Sequence, residues 1–443
     1  MNPDMLASIE HHRRVIGVYV TAGDLGMPGE RQYWLDRERG IVRAYAFMIS
    51  GAGTYAYESA AIPGGWTAHV VERNGLRFFE YRYLGNAHDV SLLFLRLGDF
   101  QTQCLWQQAN GCSGFNPSPP GLPYDAYTLG CAGIDDPLCP QDMTMQFVSR
   151  ADLVAVLEDL IVEVRATSVG FLDATALHFD TLGSVAVDTY SEYWDHYFTA
   201  LFALTAVTRA QPAVTWPIHV ASFRGYTISR ESANLDEATS CAKFAAFAQY
   251  APYDAAIVVH PTPDDYRTCP ECFLSGGYRY ESPISWQRRQ YPTRSVEGRG
   301  PLATAAGCAG IVDGLPRIVA CEQAPAWETT PDRRLRVGDT LCLGVDQATG
   351  YVTRPSPICE AGPCEPEPPI FPAESVSVAP CDEPRGEAAT FIVLDNGQIR
   401  TANARCLTAV DGALVSADCL ATQGSGGHVT GDPPADQRWS LGL

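Results

Sequence analysis

The stretch Val15-Ile16-Gly17-Val18-Tyr19-Val20-Thr21, closed by Ala22-Gly23-Asp24, decides how the N-terminal part of the chain is read. A β-branched run without polar alternation reads as a strand buried on both faces, which is the habit of parallel sheets. Working outward, the pattern predicts a helix over Tyr33–Met48, a strand over Val90–Leu97, a helix over Arg150–Val164 and a strand over Ser168–Leu172. Strands alternating with helices predict an α/β fold, a mostly parallel sheet with helices on both faces. In such sheets ligands gather beyond the carboxyl ends of the strands, so Thr21–Gly26, Gly98-Asp99 and Asp173-Ala174 are expected together.

The chain has 443 residues, 46% apolar and 19% charged, which excludes a disordered polymer and calls for more than one domain. With 31 basic against 51 acidic residues the formal charge is -20. Such a surface repels phosphate backbones and anionic headgroups, so neither nucleic acid nor a membrane surface is expected as a partner. Lys243 is the single lysine, and no glycine-rich loop precedes it, which argues against a Walker-type nucleotide site.

Fifteen cysteines point to an exported, disulfide-bearing protein. Close pairs are Cys104 with Cys112, Cys131 with Cys139, Cys269 with Cys272, Cys308 with Cys321 and Cys406 with Cys419. Cys269-Pro-Glu-Cys272 also has the spacing of half a zinc ribbon, but no second such pair completes four ligands. The region from Cys104 to Pro140, rich in Gly, Pro and Cys, reads as a surface excursion. No apolar run is long enough to span a membrane. The opening Met-Asn-Pro-Asp-Met has no signal-peptide pattern, so an upstream segment is expected.

Past a turn-rich linker at 293–301, the remainder repeats internally. Cys308 to Cys321 and Cys406 to Cys419 span the same interval, and Trp327 precedes Cys342 as Phe391 precedes Cys406. Three short β-patterned units, with Asp313-Gly314 and Asp411-Gly412 turns, predict an all-β C-terminal β-trefoil over 302–443. The insertion in its middle unit suggests the pairs Cys342–Cys381 and Cys359–Cys364.

Gln437-Arg438-Trp439, the segment Asp395 to Arg400 before Cys406-Leu407, and the paired cysteines make this region resemble the ricin B-type lectins. That family holds sugar with an Asp two positions after the first cysteine of a repeat. Here Gly310, Gly344 and Thr408 stand there, so the resemblance implies a trefoil that packs and positions rather than one that binds sugar in that manner.

Residues 1–292 resemble the LmbE-like (PIG-L) de-N-acetylases. The likeness rests on Val20 to Gly26, Tyr33-Trp34 with Arg37-Glu38-Arg39-Gly40, Ala44-Tyr45-Ala46, Phe94 to Leu97, Leu172-Asp173-Ala174, Asp195-His196, and Arg224-Gly225-Tyr226 with Asn234-Leu235. It implies a Rossmann-like domain and a secreted zinc hydrolase that removes an acyl group from an amino sugar or glycan. His196 would be a zinc ligand, Tyr193 an oxyanion donor, Asp24 a carboxylate behind the metal ligands, and Glu38 and Asp99 substrate contacts. The family's His-Pro-Asp-Asp motif is absent; relatives carry it just upstream of the position where this chain opens. The sequence as it stands is therefore expected to bind zinc poorly and to be inactive. The alternative is a non-catalytic carbohydrate- or protein-binding protein on the same two folds.

Overall fold

The computed structural model describes residues 3–11, 13–24, 33–50, 65–85, 88–99, 101–107, 126–136, 138–174, 194–225, 228, 232–254, 287–346, 373–383, 386–401, 404–417, 419 and 433–442. The chain divides into two compact units. The first comprises 1–105, 111–150 and 228–290, and the second 106–110, 151–227 and 291–443.

The chain begins with α1 (Pro3–Glu10), β1 (Arg14–Thr21), α2 (Tyr33–Ser50), β2 (Trp66–Arg73), β3 (Leu76–Gly85) and β4 (His88–Leu97). There follow α3 (Gln101–Gln107), β5 (Ala126–Tyr127), β6 (Phe147–Val148), α4 (Arg150–Glu163), β7 (Ser168–Leu172), α5 (Trp194–Ala210), β8 (His219–Phe223) and α6 (Glu237–Tyr250). The strands and helices expected around Val15, Tyr33, Val90, Arg150 and Ser168 are therefore formed, but they are not assembled as expected. In the first unit the sheet order is β1-β4-β3-β2. Only β1 and β4 run parallel; β4 with β3 and β3 with β2 are antiparallel.

This overturns the Rossmann-like α/β fold with a mostly parallel sheet and helices on both faces. The physical reason is the turn Asn74-Gly75, with φ of 49° and 75°. Two consecutive residues at positive φ make a two-residue hairpin whose twist matches its strands, so β2 and β3 fold back on each other instead of crossing over through a helix. The strand β7 does not join this sheet either. It pairs in parallel with β8 in the second unit, and β8 pairs antiparallel with β9 (Pro292–Arg294).

The core of the first unit gathers Trp34, Val42, Tyr45, Phe79, Tyr81, Leu92 and Phe94. Cys131, Ile134, Leu138 and Cys139 belong to it, so the supposed surface excursion sends these side chains and the Cys131–Cys139 bond into the core, while Ala132, Gly133 and Asp135 stay exposed.

The second unit continues with β10 (Arg299–Thr304), β11 (Gly307–Val312), β12 (Leu315–Val319), β13 (Ala326–Thr329), β14 (Leu335–Val337), β15 (Leu341–Val345) and β16 (Glu374–Pro380). It ends with β17 (Ile392–Val393), β18 (Ile399–Arg400), β19 (Cys406–Val410), β20 (Ala413–Ala417) and β21 (Ser440–Leu441). Disulfides Cys308–Cys321, Cys342–Cys381 and Cys406–Cys419 each clamp one hairpin. Their registers agree: Cys308 faces Val319, Cys342 faces Ala379 and Cys406 faces Ala417, in each case two residues before the second cysteine.

The sequence repeat is thus a repeat of locked hairpins. The β-trefoil expected from it is replaced by a closed ring of eight strands, β12-β11-β10-β13-β14-β15-β16-β20, sealed by β12 against β20. Strands β19, β18 and β17 branch from β20, and β21 pairs with β10. Hairpin register is local and shows in spacing, whereas which hairpin edges meet is decided by packing. Trp327, Phe391 and Trp439 all lie in the core of this ring with Leu343, Leu407 and Leu441.

Candidate functional site

The carboxyl ends of the parallel pair β1 and β4 assemble the first candidate site. Ala22 N–H donates to Leu97 O at 2.7 Å, holding the two chain exits together. Asp99 N–H then donates to Asp24 Oδ1 at 2.8 Å, and each aspartate is 4% exposed. Two of the three strand-end segments expected to converge do so. Asp173-Ala174 follows β7 and belongs to the second unit.

The turn between them is set by Gly23, at φ 68°, whose carbonyl accepts from Arg37 Nη1. A Cβ there would lie 2.2 Å from Arg37 Nη1, so conformation and space both require glycine. Arg37 projects from α2 and also donates through Nε to Tyr250 Oη at 2.8 Å, with Asp254 Oδ2 at 3.3 Å. Tyr33 donates to Asp254 Oδ1 at 2.8 Å and Tyr250 donates to Oδ2. Burial pushes both phenols up: Arg37 opposes the rise, Asp254 adds to it at both, and Asp99 also adds to it at Tyr33. They therefore stay protonated and serve as donors. Burial works against the Arg37 guanidinium, but Tyr250, Asp254 and Tyr33 outweigh it and its pKa is raised. Tyr127, partly exposed, has its phenol raised by burial and then by the Asp24 carboxyl.

None of Tyr33, Arg37, Tyr250 and Asp254 was singled out for a role in the sequence. A signal existed: Tyr33 with Arg37 and Tyr250 with Asp254 are both four apart, the spacing that puts two side chains on one helical face. Helix α2 can approach so closely because of Gly40, where a Cβ would meet Tyr250 and Tyr253 at 2.9 Å.

Glu38, expected to touch substrate, is placed otherwise. It accepts from Arg96 Nε and Nη2, both at 2.7 Å. Arg96 is fully buried and Glu38 2% exposed. The guanidinium lies 4.6 Å from the Trp34 ring and 4.5 Å from the Phe79 ring, and donates to Leu138 O at 3.1 Å. Burial pushes the Glu38 carboxyl up while Arg96 draws it down, with a net rise. Arg96 itself has φ 58° in the strand, three residues before Asp99. A non-glycine residue in that region carries backbone strain, which the two-pronged carboxylate contact offsets.

His196 is half-buried on α5 in the second unit, next to Asp195, which is 2% exposed. Tyr193 lies outside the described residues. Arg400, also interior, donates to Ala174 O at 2.9 Å and to Gln398 Oε1 at 3.1 Å. Burial pushes its guanidinium down to about 10, opposed by Asp173 and Tyr197. Asp24, Glu38 and Asp99 belong to the first unit and His196 to the second. Among the described residues no three His, Cys, Asp or Glu side chains are grouped to hold a metal. Within the first unit Asp24 accepts a backbone N–H and Glu38 a guanidinium.

The pairs Cys104–Cys112 and Cys359–Cys364, with Cys269 and Cys272, fall outside the described side chains. Cys241, for which the sequence suggested no partner, is disulfide-bonded. Gly310, Gly344 and Thr408 are buried, and Thr408 donates to Cys406 O at 3.1 Å and accepts from Gln437 at 3.2 Å. Among the described residues no helix is long and apolar enough to cross a membrane. Comparison of the chain with protein-family models, with curated proteins and with solved structures finds no match in any of the three.

Proposed function

We propose that the chain is an extracellular protein that recognises an amino sugar, bare or within a glycan, at the carboxyl ends of β1 and β4. The observation that carries this is the meeting of Asp24 and Asp99 there, fixed by the 2.8 Å bond between them. Among the described residues, three carboxyl groups, Asp24, Asp99 and Asp254, stand around it with the Arg37 guanidinium. A surplus of carboxylate favours a ligand rich in hydroxyl donors and carrying an ammonium, and disfavours anions. Partly exposed Ala22, Gly23, Arg37 and Tyr127 form the rim through which it is reached. The likeness to amino-sugar de-N-acetylases supports the same ligand class, and four disulfides between described residues support an oxidising compartment.

The test is calorimetric titration of the full chain with glucosamine and with N-acetylglucosamine. Saturable binding that favours the free amine and weakens at least about tenfold in Asp24→Asn or Asp99→Asn supports the reading. The Asp24→Asn amide still accepts the Asp99 N–H, so that variant changes charge and keeps the turn. No saturable binding, or binding indifferent to both substitutions, refutes it. Acetate release in the presence of added zinc would move the reading from recognition to hydrolysis.

A further inference from the structure

A cleft of about 410 Å³ opens in the second unit, between the Asp395–Gly397 turn and the Arg438-Trp439 segment. Its floor is apolar, with Val296, Val393 and Leu441, and its rim carries Asp395, Asn396 and Arg438. That volume is within the range of small-molecule sites, and an apolar floor with a few fixed polar groups is their usual composition.

The charged groups are held in place by the backbone. Asp395 N–H donates to Arg294 O at 2.9 Å, and its Oδ1 accepts Arg294 N–H at 3.0 Å, which leaves Oδ2 unused. The following turn is closed by Gly397 N–H to Leu394 O at 2.9 Å and pinned by Trp439 N–H to Gly397 O at 2.7 Å. Gly397 sits at φ 88°, and a Cβ there would lie 3.0 Å from Arg438 Cγ, so the arginine stem runs directly over the turn. Arg438 donates through Nη2 to Pro433 O at 3.0 Å, leaving Nε and Nη1. Both side chains are exposed, and among the described residues they form no ion pair with each other or with any other group.

We infer that this cleft binds a zwitterion of the α-amino acid class with an apolar side chain. A fixed carboxylate and a fixed guanidinium on one small cleft, each with unused polar atoms, complement a ligand that carries an ammonium and a carboxylate. Asp395 Oδ2 receives the ammonium, Arg438 Nε and Nη1 donate to the carboxylate, and the side chain lies on Val296, Val393 and Leu441. Groups ordered before binding lose little entropy on contact, so even a small ligand is held.

The experiment is titration of the full chain, followed by ligand-observed NMR, with L-leucine, leucinol, N-acetyl-leucine and N-acetylglucosamine. Leucine is expected to bind, with leucinol and N-acetyl-leucine each at least about tenfold weaker because each lacks one charge. Asp395→Asn keeps the acceptor for Arg294 N–H and is expected to weaken leucine about tenfold with an unchanged thermal midpoint; Arg438→Gln is expected to do the same. Equal binding of all three leucine compounds, absence of leucine binding, or leucine binding unaffected in both variants overturns the inference. So does displacement of leucine by N-acetylglucosamine, which would make the cleft a polyol site.

Discussion

Removing one side of the Arg96–Glu38 pair should damage the first unit far more than removing both. Arg96 is fully buried, lies between Trp34 and Phe79, and has Glu38 as its counter-charge at 2.7 Å on both prongs. Glu38→Gln keeps the shape of the acceptor but strands a guanidinium in the core, a change of roughly 3–5 kcal/mol for a broken buried pair. Arg96→Met removes the charge from the other side, loses the contact to Leu138 O, and leaves the Glu38 carboxyl among apolar neighbours. Its cost should be similar, reduced by Glu38 taking a proton, since burial already pushes that carboxyl up. The double variant Glu38→Leu with Arg96→Met leaves no buried charge, and well-packed replacements of this kind are often neutral or stabilising. The assay is urea unfolding with disulfides intact, followed by tryptophan fluorescence, in which Trp34 reports on the first unit. With Glu38→Leu measured as the other single variant the cycle closes, and the coupling should reach about 5 kcal/mol or more, the sum of two single costs of that size set against a double near zero. Single variants that each lose less than about 1 kcal/mol, the scale of an exposed pair, would refute the reasoning.

Gly23→Ala should weaken glucosamine binding at least about tenfold while lowering stability by only about 1–2 kcal/mol, the cost of a strained positive φ. Its Cβ displaces Arg37 from the turn, and calorimetry beside thermal unfolding separates the two effects. Lys243, whose ammonium donates to Arg289 O at 2.7 Å, is pushed down to about 8 by burial. Its folded value is below its unfolded one, so the unfolded chain binds more protons between about pH 8 and 10, and stability should rise with pH across that window. Lys243→Met should abolish the rise, and a stability that stays flat or falls in the parent chain counts against the burial effect. Cys406→Ser should lower the stability of the second unit by roughly 2–5 kcal/mol, the usual scale for a native disulfide, as read by its calorimetric transition.

What the sequence disclosed and what it hid divide along a physical line. Local signals were legible: the run at Val15, the helix at Tyr33 and the cysteine pairs later observed at 131–139, 308–321, 342–381 and 406–419 all report interactions between near neighbours or repeated spacings. Assembly was not, because whether β4 continues into a parallel crossover or meets a hairpin depends on partners distant in the chain. One local cue could have corrected the fold: Asn74-Gly75 lies between segments of alternating character and states the β2–β3 hairpin outright.

The site shows the same division. Asp24 and Asp99 could be placed together because strand ends obey topology, and β1 and β4 do pair in parallel. The partner of Glu38 could not be read from its own helix, where Arg37 and Arg39 stand beside it, since neighbours i±1 on a helix point apart. Its charge is met instead by Arg96 from a strand, at a backbone angle that no sequence pattern announces. The buried pair then follows from an arithmetic of solvation: a carboxylate and a guanidinium both enter the core only if each enters with the other. That places Glu38 among the residues that hold up the strand end bearing Asp99, and leaves the proposed recognition of an amino sugar to Asp24, Asp99 and the Arg37 lattice around them.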